Sequence, residues 1–260
     1  VNPDWLIPEW PAPAHVRAVC TTRDGGKSTA PYASLNLGDH VGDHPIDVGS
    51  NRAILHGAIQ ARPVFLSQVH GSQVVALNAK TPHGTVGDAC ITSQPGVACT
   101  IMVADCLPIL LTDEKGSFVA AAHAGWRGLA GVGGQGILES LLGIFRSPAL
   151  VGRPQAASKK IAWLGPCIGP EVFEVGSEVK AAFVLHQPQA GHCFRPLPEE
   201  GKWLADLAGL ARLRLRALGV NEIHGNDGSR AWCTVSNPSR FFSYRRDQVS
   251  GRMAACIWLA

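Results

Sequence analysis

The chain has 260 residues, 17% of them charged and 29 of them glycine, with a formal net charge of +3. That length allows one large domain or two small ones with a substantial core, and the composition excludes a disordered chain. The weak charge, with no Lys/Arg run longer than two, excludes a basic tract for nucleic acid or a membrane surface.

In chain order, the Pro-rich segment 1–15 reads as an irregular arm. It has no charged start followed by an apolar run, so a cytoplasmic protein is expected. Strand-like runs cover 16–22, 64–69, 73–77, 97–104, 107–112, 117–122, 161–164 and 252–259. The apolar run over 97–112 is interrupted by Asp105 and Pro108 and is too short and too polar to span a membrane. Several strands are apolar at nearly every position, as expected of sheets covered on both faces.

Helical patterns alternate with these strands. They cover 48–60, 136–146 (Ile137, Leu141, Ile144 and Phe145 on one face) and 202–218. In the last, Leu204, Leu207, Ala211, Leu215 and Leu218 recur at threes and fours, and Gly219 supplies the stop. The expected class is α/β (α+β), as one domain over 1–260.

Eight cysteines are present, with no C-x-x-C pair and no secretory pattern. A disulfide framework is therefore not expected, and most of them read as small buried hydrophobes. Cys106 is different. It opens the stretch "VADCLPILLTDEKGSFVAAAHAGWRG", which closes on His123. If Glu114 and Lys115 form a two-residue hairpin loop, Asp113 pairs with Gly116 and Cys106 faces His123 across the ladder. They would form a non-hydrogen-bonded pair with Cα atoms about 4.5 Å apart. Glu-Lys is not a favoured loop pair, and a longer loop would shift this register.

The stretch "FLSQVHGSQVVAL" reads as a second hairpin, with His70-Gly71 at its tip. His70, Cys106 and His123 then converge at strand ends. Two imidazoles and a thiolate suit zinc and leave a fourth position open, as catalytic rather than structural sites do. The competing readings are core placement for Cys106, or a metal-free pair in which a Cys106 thiolate works with His123 as base.

"FLSQVHG", "VADCLPILL" and "AAAHAGWRG" resemble the signature blocks of a widespread bacterial family. So do "TTRDGGKSTAPYASLNLGDHVGDHP", "GPCIGPEVFEVGSEV" and "FFSYRRDQVSGRMAACIWL", which extend the likeness over nearly the whole chain. The family was first labelled multicopper polyphenol oxidase, or laccase-domain protein. It was later described as purine nucleoside phosphorylase with adenosine deaminase and methylthioadenosine phosphorylase activity. The resemblance implies a layered α/β/β/α sandwich with mixed sheets, a fold also compared with a toxin-type cysteine hydrolase. It implies zinc on His70, Cys106 and His123, with copper the second choice. It implies purine nucleosides (adenosine, inosine, methylthioadenosine) and phosphate as the small-molecule partners. Members of the family have also been associated with correcting peptidoglycan composition, which makes a muropeptide-precursor hydrolase with Cys106 as nucleophile the alternative. Nothing in the pattern bears on oligomeric state.

Multicopper oxidases hold copper with repeated His-x-His pairs. This chain has none and only two methionines, so oxidation of phenols is not favoured. The His-x-Glu and Pro-Cys-x-x-Cys pattern of zinc nucleobase deaminases is absent too. Asp105 is the adjacent acid, but on a strand it would face away from Cys106. For phosphate, the candidates are Arg127, in the Gly-rich "HAGWRGLAGVGGQG", Arg245 or Arg246, and Arg23. If 245–246 is extended, only one of that pair faces the site. The opposing reading gives Arg246 to Asp247 or Asp227. Phe241, Phe242 and Tyr244 are candidates to stack on a purine, or core.

Overall fold

The computed structural model describes residues 2–144 and 158–260. Two mixed sheets dominate. The first has four strands: β1 (Val16–Cys20), β13 (Met253–Leu259), β5 (Val97–Val103) and β2 (Arg62–Phe65), in that order. The second has six: β12 (Glu222–Gly225), β8 (Lys160–Leu164), β6 (Leu107–Asp113), β7 (Val119–Ala124), β4 (Ala89–Thr92) and β3 (Val74–Ala76). A small third sheet joins β10 (Phe194–Pro196), β11 (Lys202–Ala205) and β9 (Glu174–Gly176).

The layering follows from which residues each strand buries. Alternate side chains of the four-stranded sheet (Cys99, Ile101, Ala255, Ile257) meet Cys90, Leu110, Ala121 and Trp163 of the six-stranded sheet. The outer face of the first sheet (Ala98, Met102, Ala254, Trp258) is covered by Leu55 and Ile59 of α1 (Pro45–Ile59). The outer face of the second (Ile109, Leu111, Ala120, Ala122, Ala162) packs in one core with four helices: the short α2 (Trp126–Ala130), α3 (Ile137–Ile144), α4 (Ser177–Val184) and α5 (Leu207–Ala217). The result is the expected α/β/β/α sandwich. Strands β5, β6, β7 and β13 are buried at every position because both faces are covered.

Four sequence expectations are corrected. The helix over 48–60 begins earlier, at Pro45, whose fixed φ suits a first helical position. The helix over 202–218 is a strand followed by a helix. Residues 202–205 form β11 and pair on both sides, and Asp206 then caps α5 by accepting a hydrogen bond from Gly209 N–H at 2.8 Å. Leu204, in line with the helical stripe, therefore belongs to the strand. The hairpin over 65–77 is not one, because β2 and β3 lie in different sheets. Of the helix over 136–146, Phe145 and Arg146 lie outside the described residues.

The fourth correction is the register of the Cys106–His123 hairpin. Pro108, not Cys106, faces His123, and Thr112 faces Val119. The loop is longer than two residues. Gly116 takes a φ of 62°, its N–H reaches Asp113 O, and Ser117 N–H donates to Asp113 Oδ1 at 2.7 Å. A shift of two positions keeps every side chain on its face, so Cys106 and His123 become diagonal neighbours on one side.

Candidate metal centre

Three different local structures deliver the three side chains. His123 is the second-last residue of β7 and is buried. Cys106 immediately precedes β6 and is half-buried. His70 sits on the crossing between the two sheets, exposed, at a φ of 60°. His70 Nε2 lies 3.7 Å from Cys106 Sγ, and the two imidazoles meet edge to face with centroids 4.7 Å apart. All three candidate ligand atoms lie within 4.8 Å of one another.

This donor set fits a metal. Zn–N of about 2.0–2.1 Å and Zn–S of about 2.3 Å in a tetrahedron put sulfur and nitrogen about 3.6 Å apart. The backbone also leaves room for the cluster. A Cβ on Gly125 would stand 2.9 Å from Cys106 Sγ and 3.0 Å from the His70 ring, so only glycine fits there. Gly125 has an ordinary negative φ; it is required for space, not for backbone freedom.

Asp88, which no sequence motif marks, organises the cluster. Its carboxylate is fully buried, just ahead of β4. Oδ1 accepts from His70 N–H at 2.8 Å and lies 2.9 Å from His123 Nδ1. Oδ2 accepts from Gly71 N–H at 2.8 Å and Val69 N–H at 3.2 Å. One carboxylate thus folds the Val69–Gly71 turn and fixes the His123 ring, with Nδ1 protonated and Nε2 turned to the cluster. This is the usual support of a ligating histidine. Sequence alone does not single Asp88 out; its only signal is an acid at the head of an apolar strand.

Electrostatics tie the group together. Burial alone would raise the Cys106 thiol, but His123 and then His70 pull it down to about 6. Burial alone would lower His123, but the Cys106 thiolate and then Asp88 raise it to about 9. Burial opposes ionisation of Asp88 as well, yet its bonds to His123 and Gly71 hold it below the usual carboxylate range. Without metal, the pair is a thiolate beside an imidazolium.

The cluster lines a cavity of about 520 Å³, a size typical of small-molecule sites. Trp126, Phe173 and Tyr244 supply aromatic wall, Arg127, Arg245 and Arg252 supply cationic wall, and His40, its pKa lowered by burial and by Arg252, adds a neutral imidazole. A larger groove, about 650 Å³, lies along Trp10 and Trp258, but its lining has no Cys, His or carboxylate side chain.

The other candidates separate clearly. Arg127 lies over the Trp126 ring at the cavity. Arg245 is exposed there and donates to Glu174 O at 3.1 Å. Arg246 does not line the cavity. Its guanidinium donates to Thr234, Val235 and Phe241 carbonyls and to Asp247. The segment is not extended but a single helical turn, α6 (Tyr244–Asp247), which turns the two arginines to different surroundings. Arg23 is held by Ala33 and Pro238 carbonyls. Phe241 and Phe242 are core; Tyr244 reaches the cavity. Asp105 is not on a strand; at a φ of 94° it accepts from Thr234 Oγ1 and from Arg245 N–H, both at 2.6 Å.

Comparison with known proteins decides the family. The family described as "Multi-copper polyphenol oxidoreductase laccase" matches residues 17–260. This chain belongs to it. The chain is 48% identical over 255 residues to a Pseudomonas aeruginosa protein named purine nucleoside phosphorylase PA4543, covering 98% of each. It is 44% identical over 256 residues to purine nucleoside phosphorylase YfiH of Escherichia coli, again covering 98% of each. The crystal structure of Neisseria meningitidis protein NMB0706 matches with a TM-score of 0.85 at 42% identity, over 98% of this chain and 99% of that one. That of YlmD from Geobacillus stearothermophilus matches at 0.84 and 31% identity, over 95% and 92%. In this laccase-like family the copper of the name and the purine chemistry of the relatives' names point to different reactions. Among the described residues the one cluster that could hold a metal is His70, Cys106 and His123, a set of one thiolate and two imidazoles.

Proposed function

We propose that residues 1–260 act as one domain that holds zinc on His70, Cys106 and His123 and phosphorolyses adenosine, inosine and methylthioadenosine, with deamination of adenosine as a second activity. The observation that carries this reading is a cluster of three candidate ligands, one fewer than a closed structural zinc site would need, at a cavity walled by aromatic rings and guanidinium groups. The names of the relatives supply the substrate class. One thiolate and two imidazoles, the one such cluster among the described residues, do not support phenol oxidation, which multicopper oxidases carry out on many imidazole ligands.

Phosphorolysis forms a bond from a phosphate oxygen to C1′ of the ribose and breaks the bond from C1′ to the purine nitrogen. The purine leaves with the bonding pair and takes up a proton. A guanidinium on the wall holds the phosphate, and Trp126, Phe173 and Tyr244 offer surface for the base. When bound, zinc supplies a Lewis acid that polarises a substrate oxygen or water. Asp88 keeps His123 in the tautomer whose Nε2 faces the cluster. The test is product analysis of metal-replete protein with adenosine and phosphate. Adenine and ribose 1-phosphate are expected, with inosine and ammonia from deamination. Neither set forming, in protein shown to contain zinc, would overturn the reading.

A specific observation also favours the alternative hydrolase. Cys106, His123 and Asp88 are arranged as nucleophile, base and orienting acid. In that case a muropeptide precursor is cleaved through Cys106, and activity survives complete removal of metal by a chelator.

A further inference from the structure

Arg252 differs from the other cations of the cavity. It lies one residue ahead of β13, is half-buried, and lines the cavity together with Cys106. Its Nη1 donates to Ser250 O at 2.8 Å and Gly251 O at 3.1 Å. Its Nε and Nη2 donate to no described residue, and none of the arginine ion pairs among the described residues involves it. A half-buried guanidinium is thus hydrogen-bonded from one side, with the Tyr244 ring 5.8 Å away, and its Nε–Nη2 edge bonds to none of the described residues. That edge is the fork that meets an oxyanion with two parallel hydrogen bonds.

The backbone and stem of Arg252 are clamped. Its N–H donates to Asn36 Oδ1 at 2.8 Å, and its carbonyl accepts from Leu37 N–H at 3.0 Å. Asn36 is fully buried, its side chain bonded to Gly38 and Asp43 and its carbonyl held by Asn51 at 2.8 Å. The aliphatic stem lies on Gly38, where a Cβ would stand 2.8 Å from Arg252 Cγ. The "SLNLGDH" segment therefore fixes the stem of one arginine. The other two cavity arginines lack a clamped stem: Arg127 rests on an indole, and Arg245, its backbone N–H bound by Asp105, has an exposed side chain with one carbonyl partner and the Phe173 ring beside it.

We propose that Arg252 anchors an oxyanion subsite in this cavity and that free inorganic phosphate, the co-substrate, occupies it; the occupant's role rests on the phosphorolysis reading. The same chemistry could come from the phosphoryl group of a nucleotide. The test is calorimetric titration of metal-containing protein, without nucleoside, with inorganic phosphate in one arm and adenosine 5′-monophosphate in the other. Arg252→Lys loses the fork, and Gly38→Ala displaces the stem while keeping the guanidinium. Each should weaken phosphate binding at least about tenfold, while Arg127→Met and Arg245→Met stay within about twofold of wild type. Metal content and Tm of every variant show that the fold is kept, and if one Arg252-directed variant does not fold the other decides.

Unchanged phosphate binding in Arg252→Lys and Gly38→Ala, an equal loss in Arg127→Met or Arg245→Met, or no phosphate binding by wild type would overturn the proposal. Arg252-dependent binding of the monophosphate alone would overturn free phosphate as the occupant. Arg252-dependent phosphate binding by a protein that makes no ribose 1-phosphate would overturn the phosphorolysis reading and leave the subsite standing.

Discussion

Replacing Asp88 by asparagine tests how the cluster is held. All four groups on the Asp88 carboxylate are donors: the N–H groups of Val69, His70 and Gly71, and His123 Nδ1–H. An amide has one oxygen and one NH₂ and cannot accept from both sides. If its NH₂ faces Val69 and Gly71, two buried donors are orphaned, at about 1–3 kcal/mol each. If it faces His70 and His123, the ring can switch tautomer and accept, leaving only His70 N–H orphaned. The second arrangement is cheaper, so a loss of about 1–3 kcal/mol is expected, which for a chain of this size lowers Tm by roughly 2–12 °C. It puts the His123 proton on Nε2, the atom a metal needs. Zinc affinity should then fall at least about tenfold. Denaturation of metal-stripped protein reads the first effect, and competition with a chromophoric chelator reads the second. Wild-type stability together with wild-type zinc affinity in Asp88→Asn would refute the argument.

Further outcomes follow from other parts of the site and fold. Cys106→Ala should lose zinc and turnover but keep its circular dichroism, because the cluster sits at strand ends and Cys106 only edges the core; a globally unfolded variant would make the metal structural. In metal-stripped protein, iodoacetamide should modify Cys106 with a rate that rises through about pH 6. Cys256, raised to about 12 by burial, and Cys20, raised by burial and by Cys256, should stay inert. Peptide mapping showing Cys106 unreactive until about pH 9 would contradict this. Arg246→Met should lower Tm, since it releases three carbonyls and Asp247, yet leave phosphate affinity by calorimetry unchanged. Asp206→Ala removes the α5 cap and should cost about 1 kcal/mol in denaturant unfolding, with turnover kept.

Sequence by itself determined the class of fold and offered, beside other readings, the three residues that the structure brings into one cluster. Long apolar runs such as 97–104 and 107–112 read as strands covered on both faces, and the two-residue period kept Cys106 and His123 on one side even though the assumed loop was two positions short. A period survives such an error because a shift of two preserves the face. Partners distant in the chain were decided by tertiary structure alone. Asp88 lies 35 residues from His123, and Asn36 lies 216 residues from Arg252; neither has a local pattern, because a buried hydrogen bond depends on the position of its partner and not on neighbours in sequence. The helix read over 202–205 failed for the same reason. Leu204 fits a helical stripe, but pairing with two neighbouring strands supplies its backbone hydrogen bonds, and that outweighs a propensity worth a few tenths of a kcal/mol per residue. Arg245 and Arg246 are adjacent and alike in sequence; only the short turn of α6 sends one to the cavity and the other to backbone carbonyls.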